Sequence, residues 1–449
     1  MESWKKISIL LCIFGVIKEF RPAEPYVTKM LNNPPFNFTL DQIGEQIYPV
    51  SIYTAMVSLV LVFLLTDFLR YKPIIISGSI CAIMVYVLLI FARSMFWMQV
   101  LEVFYGLFMA AEVAYYTYIY AKVDKCHYQA VSGHTRSAYL VGRTVSGVVS
   151  QLYIYLLPTD YYSLNYFTLA GMILATIWAL FLPSVEHSVY FNRNVPNSSS
   201  TDNLEDESNT VCTSVLKQLK KSNFKRSISF LKNDFYCAVS NLYTLKWMFW
   251  LALATGGYYQ ILSYVQVLWE QILSEGNSTI VRSETLNNFN GGVETMYTLL
   301  SAGSAYGCGM VSIQWSQYGE LALFLCSTII AALLYIMSQT AQIIFAFGLY
   351  ILYAVIYNGM ITIVNSEIAQ NVNPDSHGLI FGFTTFLALV FQSILTTFVS
   401  SGLLTNNERL KFVIYGCYFA FLGLVFAVVT AVKLLRSMLC NVVPTSSEI

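Results

Sequence analysis

The 449 residues are 56% hydrophobic and 15% aromatic but only 11% charged, whereas a soluble globular domain carries roughly a quarter charged residues. A soluble enzyme is thereby excluded. Lys plus Arg equal Asp plus Glu at 25 each, so no basic excess exists to neutralise a phosphate backbone. No base-reading motif occurs either, and nucleic acid is not a partner.

Apolar stretches long enough to cross a hydrocarbon core of about 30 Å as helices fall at 7–30, 48–66, 73–92, 98–121, 138–157, 163–183, 245–269, 289–312, 319–337, 341–364, 378–401 and 409–433. The first follows Lys5 and Lys6 as a secretory signal would. It runs on into Lys18, Glu19 and Arg21 with no small-residue cleavage site, however, and reads as a span. With both termini cytoplasmic, 17 of the 25 Lys and Arg residues fall on the inner side, Arg136 and the 217–232 cluster among them, and five on the outer side. That bias sets the expected topology. Sequons at Asn37 and Asn277 then lie in outer loops, where glycosylation acts.

One long polar segment, from Pro183 to Leu242, divides the spans six and six. It passes from Asn197–Thr201 through acidic residues 205–207 to a basic stretch at Lys217–Lys232, a solvated cytoplasmic linker or an amphipathic helix on anionic lipid. The expected organisation is an all-α membrane protein of twelve transmembrane helices. An N-terminal six-helix half covers 1–183, a linker 184–243, a C-terminal half 244–436 and a tail 437–449. Two sets of six spans joined by an inner loop are the layout of transporters that rock about a central site.

The nine cysteines are scattered and suggest neither a disulfide framework nor a zinc site. No Gly-x-x-x-x-Gly-Lys-Ser/Thr, His-Glu-x-x-His or Gly-x-Ser-x-Gly motif is present, so neither a nucleotide-driven pump nor a hydrolase is expected, and no cofactor or metal. Informative instead are ionisable residues at membrane depth, which are costly unless they face water, a partner or a substrate. They are Lys18, Glu19, Arg21 and Glu24 around Pro22 and Pro25, then Glu102, Glu112, Arg143 and Glu294. Glu112 sits about ten residues from either end of its span, with Tyr115 and Tyr116 at i+3 and i+4. A carboxylate beside phenol rings suits an organic cation. Two other roles are open to it: pairing with Arg143 to lock the bundle, or carrying a proton if buried without a partner. Glu24 stands three residues from Arg21, and that pair can simply brace a broken helix.

Several motifs together resemble the reduced folate carrier and thiamine transporter family. They include Arg21-Pro22-Ala23-Glu24-Pro25, Leu65-Thr66-Asp67-Phe68-Leu69-Arg70-Tyr71-Lys72-Pro73, Glu102-Val103-Phe104-Tyr105-Gly106 and Ala110-Ala111-Glu112-Val113-Ala114-Tyr115-Tyr116. Tyr128-Gln129, Ser132-Gly133, Tyr264-Val265-Gln266-Val267-Leu268-Trp269, Asn290-Gly291-Gly292-Val293-Glu294 and Gly319-Glu320-Leu321-Ala322-Leu323 continue the series. The resemblance covers the spans and fails only in the central loop. It implies a major-facilitator fold in the plasma membrane and uptake of a water-soluble vitamin by alternating access, with proton or anion coupling as options.

Within that family, folate carriers resemble one another in placing an arginine where this chain has Glu112, whereas thiamine transporters place a glutamate there. Folate carriers also tend to have a basic residue midway along span ten, where this chain has Tyr353, Ala354 and Val355. The thiamine branch is the nearer resemblance. It implies a pocket of Glu24, Tyr48, Glu112, Tyr115, Leu262, Gln266 and Glu294: Glu112 for the aminopyrimidine, the tyrosines as ring surfaces, Gln266 as a polar contact, and Glu24 with Glu294 keeping the cavity negative. Three positions depart from the vertebrate pattern: Ser51 replaces a tryptophan, Arg143 a tyrosine and Ser263 an asparagine. Arg143 joins the candidate site, because a guanidinium there would neutralise Glu112 or bind an anionic group. Tyr258 and Tyr259, beside Gly256 and Gly257, can supply the missing ring surface. The expected function is secondary-active thiamine uptake; the alternatives are a folate-type anion carrier and a transport-inactive receptor of the same fold.

Overall fold

The computed structural model describes residues 3–68, 71–123, 128–157, 159–184, 236, 240–275, 288–310, 314–372, 377–400 and 407–442. The sequon at Asn277, nearly all of the 184–243 linker and the end of the C-terminal tail lie outside them. The described residues are helical and contain no strand. In chain order the long helices are α1 Ser3–Lys18, α2 Tyr48–Phe68, α3 Lys72–Phe91, α4 Met95–Lys122, α5 Tyr128–Leu156 and α6 Leu164–Leu180. They are followed by α7 Leu242–Glu275, α8 Asn290–Met310, α9 Trp315–Gln339, α10 Ile343–Asn371, α11 His377–Ser400 and α12 Glu408–Val442.

Seven segments are long and apolar enough to cross a membrane: Leu40–Val62, Lys72–Phe91, Met95–Tyr116, Trp315–Gln339, Ile343–Asn371, Leu379–Val399 and Glu408–Leu435. The sequence led to an expectation of twelve. Helix α6 falls short by length, being an apolar helix of 17 residues. Helix α1 is shorter still at 16 residues, while α5, α7 and α8 carry the buried charges and hydroxyls described below, which dilute their hydropathy. Large apolar side chains including Phe91, Trp97, Leu152, Leu156, Leu424 and Val428 stay exposed around the outside, as a lipid-facing surface requires.

Helix α1 ends at Lys18 because Pro22 has no N–H to donate and its ring crowds the carbonyl four residues back. A 3-10 turn at Glu24–Tyr26 and a short helix at Val27–Asn32 carry the chain onward. Backbone freed by such a break needs partners inside a membrane protein, and four helices supply them. Ser146 of α5 accepts from the Arg21 N–H (3.0 Å), and Thr168 of α6 accepts from the Ala23 N–H (3.0 Å). Gln266 of α7 donates to the Glu24 carbonyl (3.0 Å), and Asn290 of α8 to the Pro25 carbonyl (3.0 Å).

Among α1–α6 the main packing is α2 on α4, α3 on α4 and α6, and α1 on α5; among α7–α12 it is α9 on α12, α8 on α10 and α7 on α11. Helix α5 also packs on α8, and α2 on α11. The α5–α8 crossing requires glycine. A Cβ on Gly147 would stand 2.9 Å from the Gly291 carbonyl, and one on Gly291 would stand 3.0 Å from the Gly147 carbonyl. Small residues let two backbones approach this closely.

Candidate functional site

A cavity of about 330 Å³ lies between these helices. Of the residues expected to form a pocket, Glu24, Tyr48, Glu112, Arg143, Leu262, Gln266 and Glu294 line it. Tyr115 does not. Its hydroxyl donates to the Leu11 carbonyl at 2.9 Å and its ring packs on Phe14, so it belongs to the α1–α4 contact, and Tyr116 takes the cavity-facing position. Ser51, Ser263, Tyr258 and Tyr259 also line the wall. The Tyr258 ring stacks on Tyr357 with centroids 4.1 Å apart and planes 7° apart. Gly256, beside it, lets α7 approach α11 closely, since a Cβ there would stand 2.7 Å from the Ala388 carbonyl.

The charges are organised by the broken first segment. Lys18 Nζ is 2.5 Å from Glu112 Oε1 and 3.0 Å from Glu19 Oε1. Arg21 reaches Glu19 and Glu24, each at 2.5 Å. Arg143 donates from Nε to Glu294 at 2.7 Å, with its Nη2 2.5 Å from the same oxygen, and stands 3.6 Å from Glu24 and 3.9 Å from Glu19. Tyr297 adds a hydrogen bond to Glu294 at 3.0 Å. The partner of Glu112 is thus Lys18, and Arg143 pairs with Glu294 across the α5–α8 seam. Charges this deep are held because each lies within about 4 Å of an opposite charge, which offsets part of the desolvation cost.

Two polar side chains are committed to the scaffold. Gln266 receives the Thr28 N–H at 3.4 Å in addition to bonding Glu24, and the Tyr48 hydroxyl pairs with Thr28 Oγ1 at 2.7 Å. Both hold the broken segment at the cavity wall.

Sequence reasoning left Glu102 and Arg136 out of the site. Glu102 is 7% exposed, lines the cavity beside Ser51, and has no cation within 4 Å among the described residues. Arg136 lines it too, within helix α5, whose first ten residues lie before the expected span start at 138. That stretch reads as polar because Ser132, Gly133, His134 and Arg136 depress its hydropathy, while its helical register still carries Arg136 to the cavity.

One end of the bundle is closed by contacts between the first and last six helices. The Tyr26 hydroxyl donates to the Asn288 carbonyl at 2.6 Å. Lys29 lies 3.3 Å from Asn288 Oδ1 and 3.7 Å from Glu270, and Gln151 accepts from the Gly292 N–H at 2.7 Å. Lys411 of α12 sits 2.8 Å from Glu408 and 3.5 Å from Glu45, which precedes α2.

The family model described as the reduced folate carrier matches residues 2–420. Folate transporter 1 of Caenorhabditis elegans is 36% identical over 95% of this chain and 92% of its own length. Thiamine transporter 1 of Mus musculus is 34% identical over 99% of this chain and 93% of its own, and human thiamine transporter 2 is 36% identical over 97% and 90%. In three dimensions the chain is similar to the crystal structure of a mutant of the nucleoside transporter NupG, with a TM-score of 0.62 and 12% identity over 94% of this chain and 99% of that one. That likeness gives the fold, of major-facilitator type. The chain is a multi-pass membrane transporter, not an enzyme, and belongs to the reduced folate carrier family.

Proposed function

We propose that the chain takes up thiamine across the plasma membrane as a secondary-active carrier working by alternating access. All twelve long helices would cross the bilayer in two six-helix halves, with both termini cytoplasmic and the cation held between the halves. Glu102 carries this reading: a buried carboxyl group on the cavity wall with no cation within 4 Å among the described residues, so that a ligand cation is the partner that would hold it ionised. Counted with it, the five carboxyl groups of Glu19, Glu24, Glu102, Glu112 and Glu294 outnumber the four cations Lys18, Arg21, Arg136 and Arg143 by one. The polar wall therefore has a formal negative excess, and phenol rings of Tyr48, Tyr116, Tyr258 and Tyr259 face the same space. A thiazolium cation gains Coulomb attraction and ring-face contact there. With cytoplasmic termini, the contacts of Tyr26, Lys29 and Lys411 lie on the extracellular side, and this conformation is closed to the outside.

A second reading, carriage of a folate-type anion, has Arg136 in its favour. Uptake of labelled thiamine and labelled folate, measured side by side in cells expressing the wild type, Glu102→Gln and Glu112→Gln at matched surface levels, separates the two. Saturable thiamine uptake that falls about tenfold in Glu102→Gln supports the proposal, a loss in keeping with removal of one buried charge–charge contact. Folate uptake without thiamine uptake overturns it, and uptake of neither returns the receptor reading. Asn37 is exposed in a loop on the same side as the closed end, in line with a glycan there; Asn37→Gln would then remove a glycosidase-sensitive shift on a gel.

A further inference from the structure

The surroundings of Glu112 form a cation receptor that is filled by the chain itself. Lys18 Nζ is 2.5 Å from Glu112 Oε1, 3.0 Å from Glu19 Oε1, and 5.3, 5.8 and 5.9 Å from the ring centroids of Tyr115, Phe108 and Tyr116. Two carboxylates and three aromatic rings around one ammonium are the groups an organic cation would use. The two carboxylates are placed differently. Glu112 and Tyr116 line the cavity, whereas Lys18, 3% exposed, stands behind them at the end of α1. Glu19 is deeper still, with one oxygen held by Arg21 at 2.5 Å. Its other oxygen, Oε1, is buried and accepts no hydrogen bond from any described residue, since the Lys18 hydrogen bond goes to Glu112. An unused acceptor 3.0 Å from the ammonium is a second seat for it. A turn of the flexible four-carbon stem reaches that seat without moving α1.

We propose that Lys18 is a resident counter-ion that stands in for the substrate in the empty carrier. The proposal deepens the thiamine reading above and rests on it. With the cavity empty, Lys18 neutralises Glu112; when a ligand cation meets Glu112 from the cavity side, Lys18 turns to Glu19 Oε1. Glu112 thus has a cation in both states. A buried carboxylate that lost its only cation on substrate release would hold the empty carrier back, because an unpaired charge inside the closed intermediate is costly. Lys18 removes that cost, so that at Glu112 the return step needs neither a proton nor a second substrate molecule. The same lysine competes with the ligand, which lowers affinity while it raises turnover. Lys18 is in this sense a positioning residue: it acts on the substrate through Glu112.

The test is the ratio of exchange to net uptake in proteoliposomes holding the purified full-length protein, with equal pH on both sides. Uptake of labelled thiamine is measured into vesicles with no internal thiamine and into vesicles preloaded with unlabelled thiamine, for the wild type, Lys18→Met, Lys18→Arg and Glu19→Gln. The wild type is expected to work at similar rates in the two modes. In Lys18→Met the ratio of exchange to net uptake should rise about tenfold, as one stranded buried charge in the return step entails. Its KM in the exchange mode should fall, the pattern of a lost competitor. Lys18→Arg, which keeps the charge, should give a ratio between the two, and Glu19→Gln, which removes the second seat, should raise KM several-fold. A wild type stimulated about tenfold or more by internal thiamine overturns the proposal without recourse to any variant. A folded Lys18→Met with an unchanged ratio does the same, including one that loses both modes in equal measure, since Lys18 is then structural only. Should Lys18→Met fail to fold, the wild-type ratio and the Glu19→Gln KM decide. A wild type that carries no thiamine in either mode overturns the cation reading itself.

Discussion

Lys18 Nζ lies 2.5 Å from Glu112 Oε1, joining helix α1 to helix α4 at a point where both side chains are more than four-fifths buried. The carboxylate expected to meet a cationic ligand already holds a lysine, and that lysine is shared with Glu19. Loading a cation beside Glu112 therefore means competing with Lys18 or displacing it. A ligand that draws Glu112 away leaves Lys18 bound to Glu19, a fallback that makes such an exchange less costly than stranding a buried charge.

Removing one member of this pair should destabilise unequally. Lys18→Met leaves Glu112 buried without its cation and is expected to cost on the order of 3 kcal/mol of stability. Glu112→Gln should cost less, since Lys18 keeps Glu19. The double variant Lys18→Met/Glu112→Gln should recover part of the Lys18→Met loss. Thermal unfolding of the four proteins in one detergent checks this, and additive losses would show that the pair is not coupled in the folded protein.

Arg143 and Glu294 join α5 to α8 by two close N–O contacts, next to the Gly147–Gly291 crossing. If the two six-helix halves rock against each other about this seam, the pair acts as a clasp, and a swapped pair keeps the clasp while setting a carboxylate at 143 against Glu24 and Glu19. Arg143→Glu and Glu294→Arg alone should each lower uptake about tenfold or more, because each places like charges face to face in a site of low dielectric. The swap carrying both changes should restore a measurable fraction. Initial uptake rates at equal surface expression decide it; a swap no better than either single variant argues for direct ligand roles.

The helical class and the membrane character were legible in composition and in the apolar runs, and so was the importance of residues 18–24, because charges and prolines at that depth demand an explanation. Pairing was not legible. Glu112 and Lys18 are separated by 94 positions, and nothing in the local pattern distinguishes Lys18 from Arg143 as the partner of a mid-span glutamate. Arg136 was hidden differently. The polar start of α5 reads as a loop to any hydropathy window, yet it is helix from Tyr128 onward. Glu102 was visible as a charge at depth, but only the placement of the cations around it reveals that none of them is its partner.

The closed end depends on two buried lysines, Lys29 facing Glu270 and Asn288, and Lys411 facing Glu408 and Glu45. Glu270→Gln weakens the first of these contacts without changing side-chain shape. Its expected effect is a larger share of molecules open at this end. The measurement is the rate at which a membrane-impermeant maleimide labels a cysteine introduced at Ser51 on the cavity wall, in intact cells. Labelling should be several times faster in the Glu270→Gln background, as a shift of about 1 kcal/mol in the opening equilibrium gives; equal rates would mean that Lys29 is not part of the barrier.

Tyr115 and Tyr116 separate packing from binding at adjacent positions. Successive residues on a helix point about 100° apart, so one of two neighbouring tyrosines can face the cavity while the other faces a helix. The Tyr115 hydroxyl donates to the Leu11 carbonyl and lies against Gly15, where an added Cβ would stand 2.6 Å from its oxygen. Tyr115→Phe removes that hydrogen bond and leaves the carbonyl without it, so a stability loss of about 1 kcal/mol is expected, with the KM for uptake unchanged. Tyr116 lines the cavity, with Lys18 Nζ 5.9 Å from its ring centroid. Tyr116→Ala is therefore expected to raise KM several-fold through loss of an aromatic surface offered to a cation, a contact of about 1 kcal/mol or more once water is excluded. Tyr116→Phe, which keeps the ring, should retain most of the affinity. The opposite pattern, with KM following Tyr115 and stability following Tyr116, would assign the cavity face of α4 to the wrong side of the helix.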